Sequence, residues 1–344
     1  MHARFHIRLL ATQEKVEPGI TTMKILVTGG AGYIGSSLVP LLLAEGHSVR
    51  VLDSLLHGGD SLLGVWSNPA FQFIRGDICD RAKVQSAVTG MDAVVHLAAI
   101  VGDPACSRLP DLARAVNLES SLALIDESRR AGITRFLFAS TCSNYGKMKD
   151  STQYVDEESD LSPVSLYAET KVAVEKALLA SGASNGWSPT PLRFATVFGV
   201  SPRMRFDLTV NEFTMEMLTK KHLMVFGEQF WRPYVHVRDA ARGIRLVLSS
   251  PVEKVAGTVF NVGATDQNWQ KQQLVEMIRP HAPDAVVEFV HKQEDPRDYR
   301  VSFTRISELL GYTITRTVAQ GIEEVAQLVN DRMICNFDDK RYRN

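Results

Sequence analysis

Tyr167 and Lys171 stand four residues apart at the start of a predicted helix over residues 164–181, so their side chains share one helix face. A tyrosine hydroxyl has a pKa near ~10 and is a poor base at neutral pH. A nearby ammonium group favours the phenolate, and lowering that pKa by ~3 units takes ~4 kcal/mol of differential stabilisation. The pair predicts a tyrosine base activated by a lysine, although this spacing is also common on ordinary amphipathic helices.

Hydroxyl side chains end the strand that is predicted before this helix. Residues 135–140 form an apolar run, and Ser140 and Thr141 stand at its carboxyl end. In that position Thr141 can share a hydrogen bond with a substrate oxygen and with Tyr167. The alternative is that both hydroxyls only cap a turn, as serine and threonine often do.

A glycine-rich turn near the start of the chain predicts a dinucleotide site. Gly29, Gly32 and Gly35 follow an apolar strand and open a helix. Glycines at this spacing allow a tight turn and a close approach of the backbone to a pyrophosphate, which the helix N-terminus then attracts. Asp53 lies 24 residues after Gly29, at the end of the next strand, where it can accept hydrogen bonds from ribose hydroxyls. This acid favours NAD over NADP.

Strands and helices alternate along the first half of the chain, which predicts an α/β fold: a Rossmann-type doubly wound parallel sheet. After the glycine turn, the predicted strands of this half cover residues 49–53, 71–75, 92–99, 135–140 and 191–197, and the predicted helices cover residues 80–89, 109–131 and 164–181.

The alternation loosens after Gly199, and we expect a smaller mixed substrate-binding domain there. The predicted organisation is a mobile extension over 1–22, a cofactor domain over 23–199 and a mainly substrate-binding domain over 200–344, with 236–263 returning to the main sheet. The lid should cover the carboxyl ends of the strands, where open α/β sheets bind ligands.

Composition limits the possible partners of this chain of 344 residues. The formal net charge is −1 without a basic block, and no apolar run is long enough to span a bilayer, so we expect neither nucleic-acid binding nor a membrane location. The four cysteines, Cys79, Cys106, Cys142 and Cys335, lack the spacing of metal ligands. This pattern predicts reduced thiols, no metal and a cytoplasmic protein.

From Met23 to about Gln327 the chain resembles an extended short-chain dehydrogenase/reductase of the nucleotide-sugar epimerase/dehydratase group. The resemblance is carried by Thr28 to Gly35, Asp77-Ile78, His96 to Ala99, Ser140 to Gly146, Tyr167 to Lys171, Leu192-Arg193-Phe194 and Trp231 to Asp239. It implies a Rossmann domain with a retained NAD, a nucleotide-diphosphate sugar under the lid and a homodimer formed through the helices near 109–131 and 164–181.

The resemblance also assigns site residues, among which the catalytic hydroxyl falls on Thr141 rather than Ser140, beside Tyr167 and Lys171. The cofactor residues it implies are Gly29, Gly32, Tyr33, Ile34, Gly35, Asp53, Asp77, Ile78, Leu97, Ala98, Ala99, Asn117, Tyr167, Lys171 and Phe194. The substrate residues it implies are Thr141, Ser143, Thr196, Asn211, Arg232, Arg297 and Arg300. An arginine fork suits the oxygens of a diphosphate.

The chain departs from the dehydratase pattern at one informative place. Sugar-nucleotide 4,6-dehydratases of this group carry Asp and then Glu directly after the catalytic Thr, whereas this chain has Cys142 and Ser143. A serine is a feeble base, and a free thiol has a pKa of ~8.5. Cys142 is either an acid in an unusual dehydratase or a small core side chain.

These residues favour NAD-dependent epimerisation of a nucleotide sugar, most simply at C4 through a 4-keto intermediate. That reaction needs Thr141, Tyr167 and Lys171 but no Asp–Glu pair. The alternatives are a dehydratase that uses Cys142 as an acid, a ketoreductase and, from another class, a non-enzymatic dinucleotide sensor, which would not need Tyr167 and Lys171.

Overall fold

The computed structural model describes residues 22–148, 150, 153–184, 186–292 and 297–344. The extension predicted over 1–22 therefore lies outside the described residues except for Thr22. In the part of the chain that is described, no helix is long and apolar enough to cross a membrane.

A seven-stranded parallel sheet forms the centre of the molecule. Its strands are β1 Lys24–Thr28, β2 Ser48–Asp53, β3 Phe71–Arg75, β4 Ala93–His96, β5 Arg135–Thr141, β6 Ser188–Phe194 and β10 Phe260–Val262. The order β10-β6-β5-β4-β1-β2-β3 reverses direction between β1 and β4, so the carboxyl ends of these two strands flank a crevice. The predicted α/β class and doubly wound sheet are confirmed.

Helices cover both faces of the sheet and fill the second half of the chain. They are α1 Gly35–Ala44, α2 Arg81–Val88, α3 Asp103–Arg108, α4 Pro110–Arg114, α5 Ser120–Arg130, α6 Leu166–Ala180, α7 Thr209–Thr219, α8 Val237–Ser249, α9 Val252–Val255, α10 Lys271–Ile278, α11 Thr304–Leu310 and α12 Val318–Asn330. Two apolar clusters form the core, one on each face of the sheet. Ile25 and Val27 of β1 belong to one cluster, while Leu26 belongs to the other. This alternation is expected for a strand buried on both faces.

Two small sheets stand apart from the main one. They are built from β7 Thr196–Phe198, β8 His222–Phe226, β9 Trp231–His236, β11 Asn268–Gln270 and β12 Val286–Val290, in the orders β11-β9-β7 and β12-β8. β10 pairs with β6 in parallel, which returns the chain to the main sheet between these pieces.

Three predicted elements were wrong in their extent. The strand expected over 92–99 covers only Ala93–His96. The single helix expected over 109–131 is broken, because Pro110 begins a new helix and a π-helical turn covers Ala115–Glu119 before α5. The strand expected over 191–197 ends at Phe194, and β7 then joins the sheet that contains β9.

Candidate active site

The glycine turn between β1 and α1 has the geometry that a pyrophosphate needs. Gly29 has φ +74°, and a Cβ there would lie 2.8 Å from the Ala98 nitrogen. At Gly35 a Cβ would lie 2.4 Å from the Gly29 carbonyl oxygen, so only glycine lets α1 start so close to the turn. No side chain caps the α1 N-terminus and its first turn holds no acidic residue. The free N–H groups and the helix dipole therefore remain available to a bound anion.

Asp53 ends β2 beside this turn, as predicted. Its carboxylate accepts hydrogen bonds from the backbone N–H groups of Ala31 at 2.9 Å and Leu55 at 2.8 Å. These two bonds fix the carboxylate at the crevice while leaving lone pairs for ribose hydroxyls. The fit of the turn, the helix end and this acid to NAD is therefore supported by this chain's own geometry.

Asn117 supports the wall of the crevice from behind. It lies in the π-helical turn and is buried, its Oδ1 accepts from the Ile100 N–H at 2.8 Å, and its Nδ2 donates to the Ile100 carbonyl at 2.9 Å. The side chain thus holds the loop after β4, which contains Ala98 and Ala99. Contact between Asn117 and the cofactor was expected, whereas in the structure its amide is occupied by the loop backbone.

The adenine-side and remaining crevice residues lie at strand ends. Asp77 and Ile78 follow β3, where Asp77 Oδ1 accepts from the Cys79 N–H at 2.8 Å and Ile78 is buried. Leu97 follows β4, and Phe194 ends β6 in a buried position. Their roles towards the cofactor stay predictions.

Helix α6 faces the end of β5 through three successive turns. The Lys171 ammonium donates to the Ala139 carbonyl at 2.8 Å and lies 5.8 Å from the centroid of the Tyr167 ring. One turn later, Glu175 accepts a hydrogen bond from the Ser140 hydroxyl at 2.7 Å. The helix and the strand are therefore fastened at two consecutive strand residues, Ala139 and Ser140, and the approach of Tyr167 to Thr141 stays a prediction.

Glu175 also forms a buried ion pair with Arg193 of β6, and the Arg193 Nη1 donates to the Tyr145 hydroxyl at 2.9 Å. The Asn144 amide donates to the Ser140 hydroxyl at 3.0 Å. This network joins α6, β5 and β6 one residue before Thr141, which ends β5. Because the Ser140 hydroxyl is bonded within this network, Thr141 stays the predicted catalytic hydroxyl.

The burial of the Tyr167 hydroxyl opposes its ionisation. Burial raises its pKa, and Arg205 is the main cation acting against that rise. The expectation that Lys171 lowers the tyrosine pKa is therefore not met by the chain alone. Between Tyr167 and Thr141, both within the described residues, no hydrogen bond is formed. Catalytic hydrogen bonds are often loose until a substrate is bound.

Lys171 is a buried cation, and burial lowers its pKa to about 8. Between about pH 8 and 10.5 the unfolded chain binds more protons at this residue than the folded one, so folding gains stability as pH rises. We predict that the unfolding free energy of wild type relative to Lys171→Met increases by roughly 3 kcal/mol across that window. Urea denaturation of both proteins at several pH values measures this difference. A pH-independent difference would contradict a buried ammonium.

Cys142 points away from the crevice. Its side chain is 1% exposed, its thiol donates to the Arg193 carbonyl at 3.3 Å, and burial raises its pKa well above the ordinary value. The sequence left an acid role for Cys142 open, and the structure contradicts it, because the thiol faces the core between β5 and β6. The Thr141 hydroxyl accepts from the Ser143 N–H at 3.1 Å and so caps the 3₁₀ turn over Cys142–Tyr145.

The arginines expected to bind a diphosphate are already engaged with other groups. Arg232 is buried, donates to the Trp231 carbonyl at 2.6 Å and lies 5.4 Å from the Tyr299 ring. Arg297 pairs with Asp103 at 2.7 Å. Arg300 lies over the rings of Tyr154 and Trp231, at 4.5 Å and 5.0 Å. Thr196 begins β7 near the crevice, and its contact with substrate stays a prediction.

Asn211 does not face a sugar site. It is fully buried, its Oδ1 accepts from the Gly199 N–H at 2.9 Å, and its Nδ2 donates to the Arg205 carbonyl at 2.9 Å and to the Tyr33 hydroxyl at 3.0 Å. The expected substrate contact is therefore replaced by a role in shaping the loop after β7.

Two residues near the site were missed by sequence reasoning. The Tyr299 hydroxyl lies 3.3 Å from that of Ser143, which places a second phenol next to the β5 end. Asp103 accepts from the Ser165 hydroxyl, the N-cap of α6, at 2.6 Å. The Asp103-Pro104 pair was a detectable helix-start signal, since proline favours the first helical turn. No sequence signal joins Tyr299 to Ser143, 156 residues earlier.

A sequence model described as the NAD dependent epimerase/dehydratase family matches residues 25–263. The chain belongs to this family. It is 31% identical over 319 residues to a dTDP-glucose 4,6-dehydratase of Actinoplanes sp., covering 88% of this chain and 96% of that protein. It is 28% identical to a UDP-glucose 4-epimerase of Corynebacterium glutamicum, covering 88% and 94%. A solved structure of DesIV, a dTDP-glucose 4,6-dehydratase from Streptomyces venezuelae with NAD bound, superposes with a TM-score of 0.80 at 27% identity, covering 90% of this chain and 98% of that one.

The predicted family and cofactor are confirmed: NAD is the cofactor of this family, and the chain is an enzyme of its nucleotide-sugar-modifying group. Both dehydratases and epimerases are similar to the chain. The particular reaction therefore has to be argued from the chain's own residues.

Proposed function

We propose that the protein catalyses NAD-dependent epimerisation of a nucleotide-diphosphate sugar at C4. The observation that carries this proposal is the pairing of an intact Thr141, Tyr167 and Lys171 set with a Cys142 thiol turned into the core. Epimerisation needs a single proton relay at the sugar hydroxyl. Elimination of water needs an additional acid and base, for which the positions after Thr141 offer a buried thiol and a serine.

Tyr167 is the proposed base for the C4 hydroxyl proton, and it returns that proton when the hydroxyl is restored with the opposite configuration. Bound NAD supplies the reversible two-electron oxidation of the sugar carbon. Thr141 hydrogen-bonds the reacting oxygen and relays its proton to Tyr167. Since burial raises the pKa of Tyr167, positive charge is needed to make the phenolate accessible; Arg205 supplies part of it, and the oxidised nicotinamide of bound NAD would add more.

We also propose which residues bind the diphosphate and the sugar of the substrate. Arg232, Arg297 and Arg300 supply positive charge for a diphosphate, and the relatives that carry UDP-glucose and dTDP-glucose in their names make such sugars the first substrates to test. Arg297 would leave Asp103 to reach a phosphate. Ser143 and Tyr299 offer hydroxyls to the sugar.

We predict that Cys142→Ala retains epimerisation within about threefold of wild type, because the thiol faces away from the reacting oxygen. A sugar-nucleotide panel followed by NMR measures inversion, and absorbance in alkali detects 4-keto-6-deoxy products. The dehydratase alternative instead requires Cys142 as its acid and predicts a loss of at least ~100-fold in water elimination. Formation of a 4-keto-6-deoxy sugar by wild type and its disappearance in Cys142→Ala would replace the epimerase proposal.

We also propose a cytoplasmic homodimer formed through the segments near 109–131 and 164–181. Leu109, Leu112 and Val164 are exposed apolar side chains there, and all four cysteines are free thiols. Leu112→Glu should therefore convert a dimer into a monomer in light-scattering chromatography, while Leu309→Glu, which places the same charge on α11, should not. An unchanged dimer in Leu112→Glu would place the interface elsewhere.

A further inference from the structure

The loop that follows β7 is fastened to the first turn of α1. The Tyr33 hydroxyl donates to the Gly199 carbonyl at 2.5 Å, and the Ser201 hydroxyl donates to the Tyr33 carbonyl at 2.7 Å. The Arg203 N–H donates to the Ser36 hydroxyl at 3.3 Å. A loop from the second half of the chain is thereby fixed beside the helix N-terminus that the glycine turn opens.

Arg203, in the loop after β7, is a buried cation. It is 6% exposed, its Nη2 donates to the Arg343 carbonyl at 3.2 Å and to the Asn344 Oδ1 at 2.8 Å, and its buried Nε has no hydrogen-bond partner among the described residues. Burial lowers the Arg203 pKa to about 10, and the neighbouring Arg205 adds to that effect. Neutral oxygens alone compensate a buried charge poorly.

The carboxylates around Arg203 are bonded to other groups. Asp207 pairs with Arg205 at 2.7 Å and 3.0 Å, and Asp53 accepts from two backbone N–H groups of the glycine turn region. Within the described residues, no carboxylate forms a hydrogen bond or ion pair with Arg203. The buried guanidinium therefore has part of its donor capacity unused, and its charge acts on Asp53 and Tyr33 beside the glycine turn.

Residues 337–344, which we call the strap, cover Arg203. The Phe206 N–H donates to the Tyr342 carbonyl at 2.8 Å, so the strap is joined to the loop after β7. On the other side, Arg341 reaches Asp60 at 3.4 Å and Arg108 donates to the Asn344 carbonyl at 3.3 Å. The strap therefore contacts the segments that follow β2 and β4, in which Asp60 and Arg108 lie.

We propose that Arg203 binds the pyrophosphate of NAD and that the strap holds Arg203 against it, so that the cofactor is clamped between α1 and the loop after β7. A guanidinium can place two N–H groups on phosphate oxygens and adds its charge to that of the helix N-terminus. The inference rests on the family's cofactor and is independent of which sugar carbon reacts.

The test measures release of NADH from the complete protein by the decay of its protein-enhanced fluorescence after dilution into excess NAD. Arg203→Ala should speed release by about 10- to 100-fold, the loss expected for a charge-assisted hydrogen bond to a phosphate. Arg203→Lys keeps the charge without the fork and should show a smaller increase. Arg279→Ala is the matched control, since this partly exposed arginine lies on a distant helix end beside Glu276 and should leave release unchanged.

A variant that lacks residues 338–344, which is all of the strap except Phe337, tests the contribution of the strap apart from that of Arg203. We expect this variant to release NADH faster than wild type. Adding Arg203→Ala should cause no further increase, because both changes remove the same clamp. A release rate for Arg203→Ala less than about threefold above wild type would overturn the proposal, and a larger rise supports it. If Arg203→Ala does not show a cooperative thermal transition, the same threshold is applied to Arg203→Lys.

Discussion

Tyr167→Phe is expected to reduce kcat for sugar-nucleotide epimerisation by roughly 10²- to 10⁴-fold, because it removes the hydroxyl that we propose as the base for the sugar hydroxyl proton. The ring keeps its packing against the Lys171 ammonium, 5.8 Å from the ring centroid, so the fold and the cofactor crevice are preserved. The measurements are kcat with UDP-glucose or dTDP-glucose, and NADH binding by fluorescence. NADH affinity should stay within about threefold of wild type, since phenylalanine keeps the ring of Tyr167, which is among the expected cofactor contacts.

The matched control removes another buried tyrosine hydroxyl. Tyr312 donates to the Asp239 carbonyl at 2.9 Å, away from α6 and β5. Tyr312→Phe should cost about 1 kcal/mol of unfolding free energy and leave kcat unchanged. Equal kcat values in Tyr167→Phe and wild type would remove the enzymatic role of Tyr167 and revive the idea of a dinucleotide sensor.

Arg193→Met is expected to destabilise the protein by about 3–5 kcal/mol, because it leaves the Glu175 carboxylate buried without its cation. Glu175 is 1% exposed and would keep only the hydrogen bonds from Ser140 and Asn144. Urea denaturation at neutral pH measures the loss. The residual folded enzyme should also turn over more slowly, since the network holds α6 against the strand that carries Thr141.

Two further variants show whether the loss of stability comes from the unpaired buried charge of Glu175. Adding Glu175→Leu to Arg193→Met should recover much of the stability, because an apolar pair avoids the desolvation of both charges. Lys220→Met breaks an exposed pair with Glu216 and should cost only about 0.3–0.5 kcal/mol. A loss in Arg193→Met as small as that in Lys220→Met would show that the buried pair does not hold the site together.

The sheet and the cofactor turn were predictable because their signals are local. The apolar runs of β1 and β4, and the glycines at 29, 32 and 35, satisfy short-range rules that the surrounding chain does not override. Asp53 followed from the same logic, since its position at a strand end is fixed by the strand itself. The pairing of Tyr167 with Lys171 depended only on helix periodicity.

Long-range pairing explains what the sequence did not reveal. Arg297 forms an ion pair with Asp103, which lies 194 residues earlier, and the Asn211 amide is hydrogen-bonded to Gly199 and Tyr33. Residue type alone could not distinguish these contacts from a binding role, because arginine and asparagine side chains bind ligands and other protein groups equally well. Likewise, the direction of Cys142 depends on how β5 ends, which no composition rule specifies.

In the proposed epimerisation, C4 of the sugar gives its hydrogen to bound NAD and regains the same hydrogen. A substrate carrying deuterium at C4 of UDP-glucose or dTDP-glucose tests it most directly, with product analysis by NMR and mass spectrometry. The expected product is an inverted sugar that retains deuterium at C4, with no water released and no net NADH formed. Deuterium at C6 of a 4-keto-6-deoxy sugar would instead show elimination of water and rule out epimerisation.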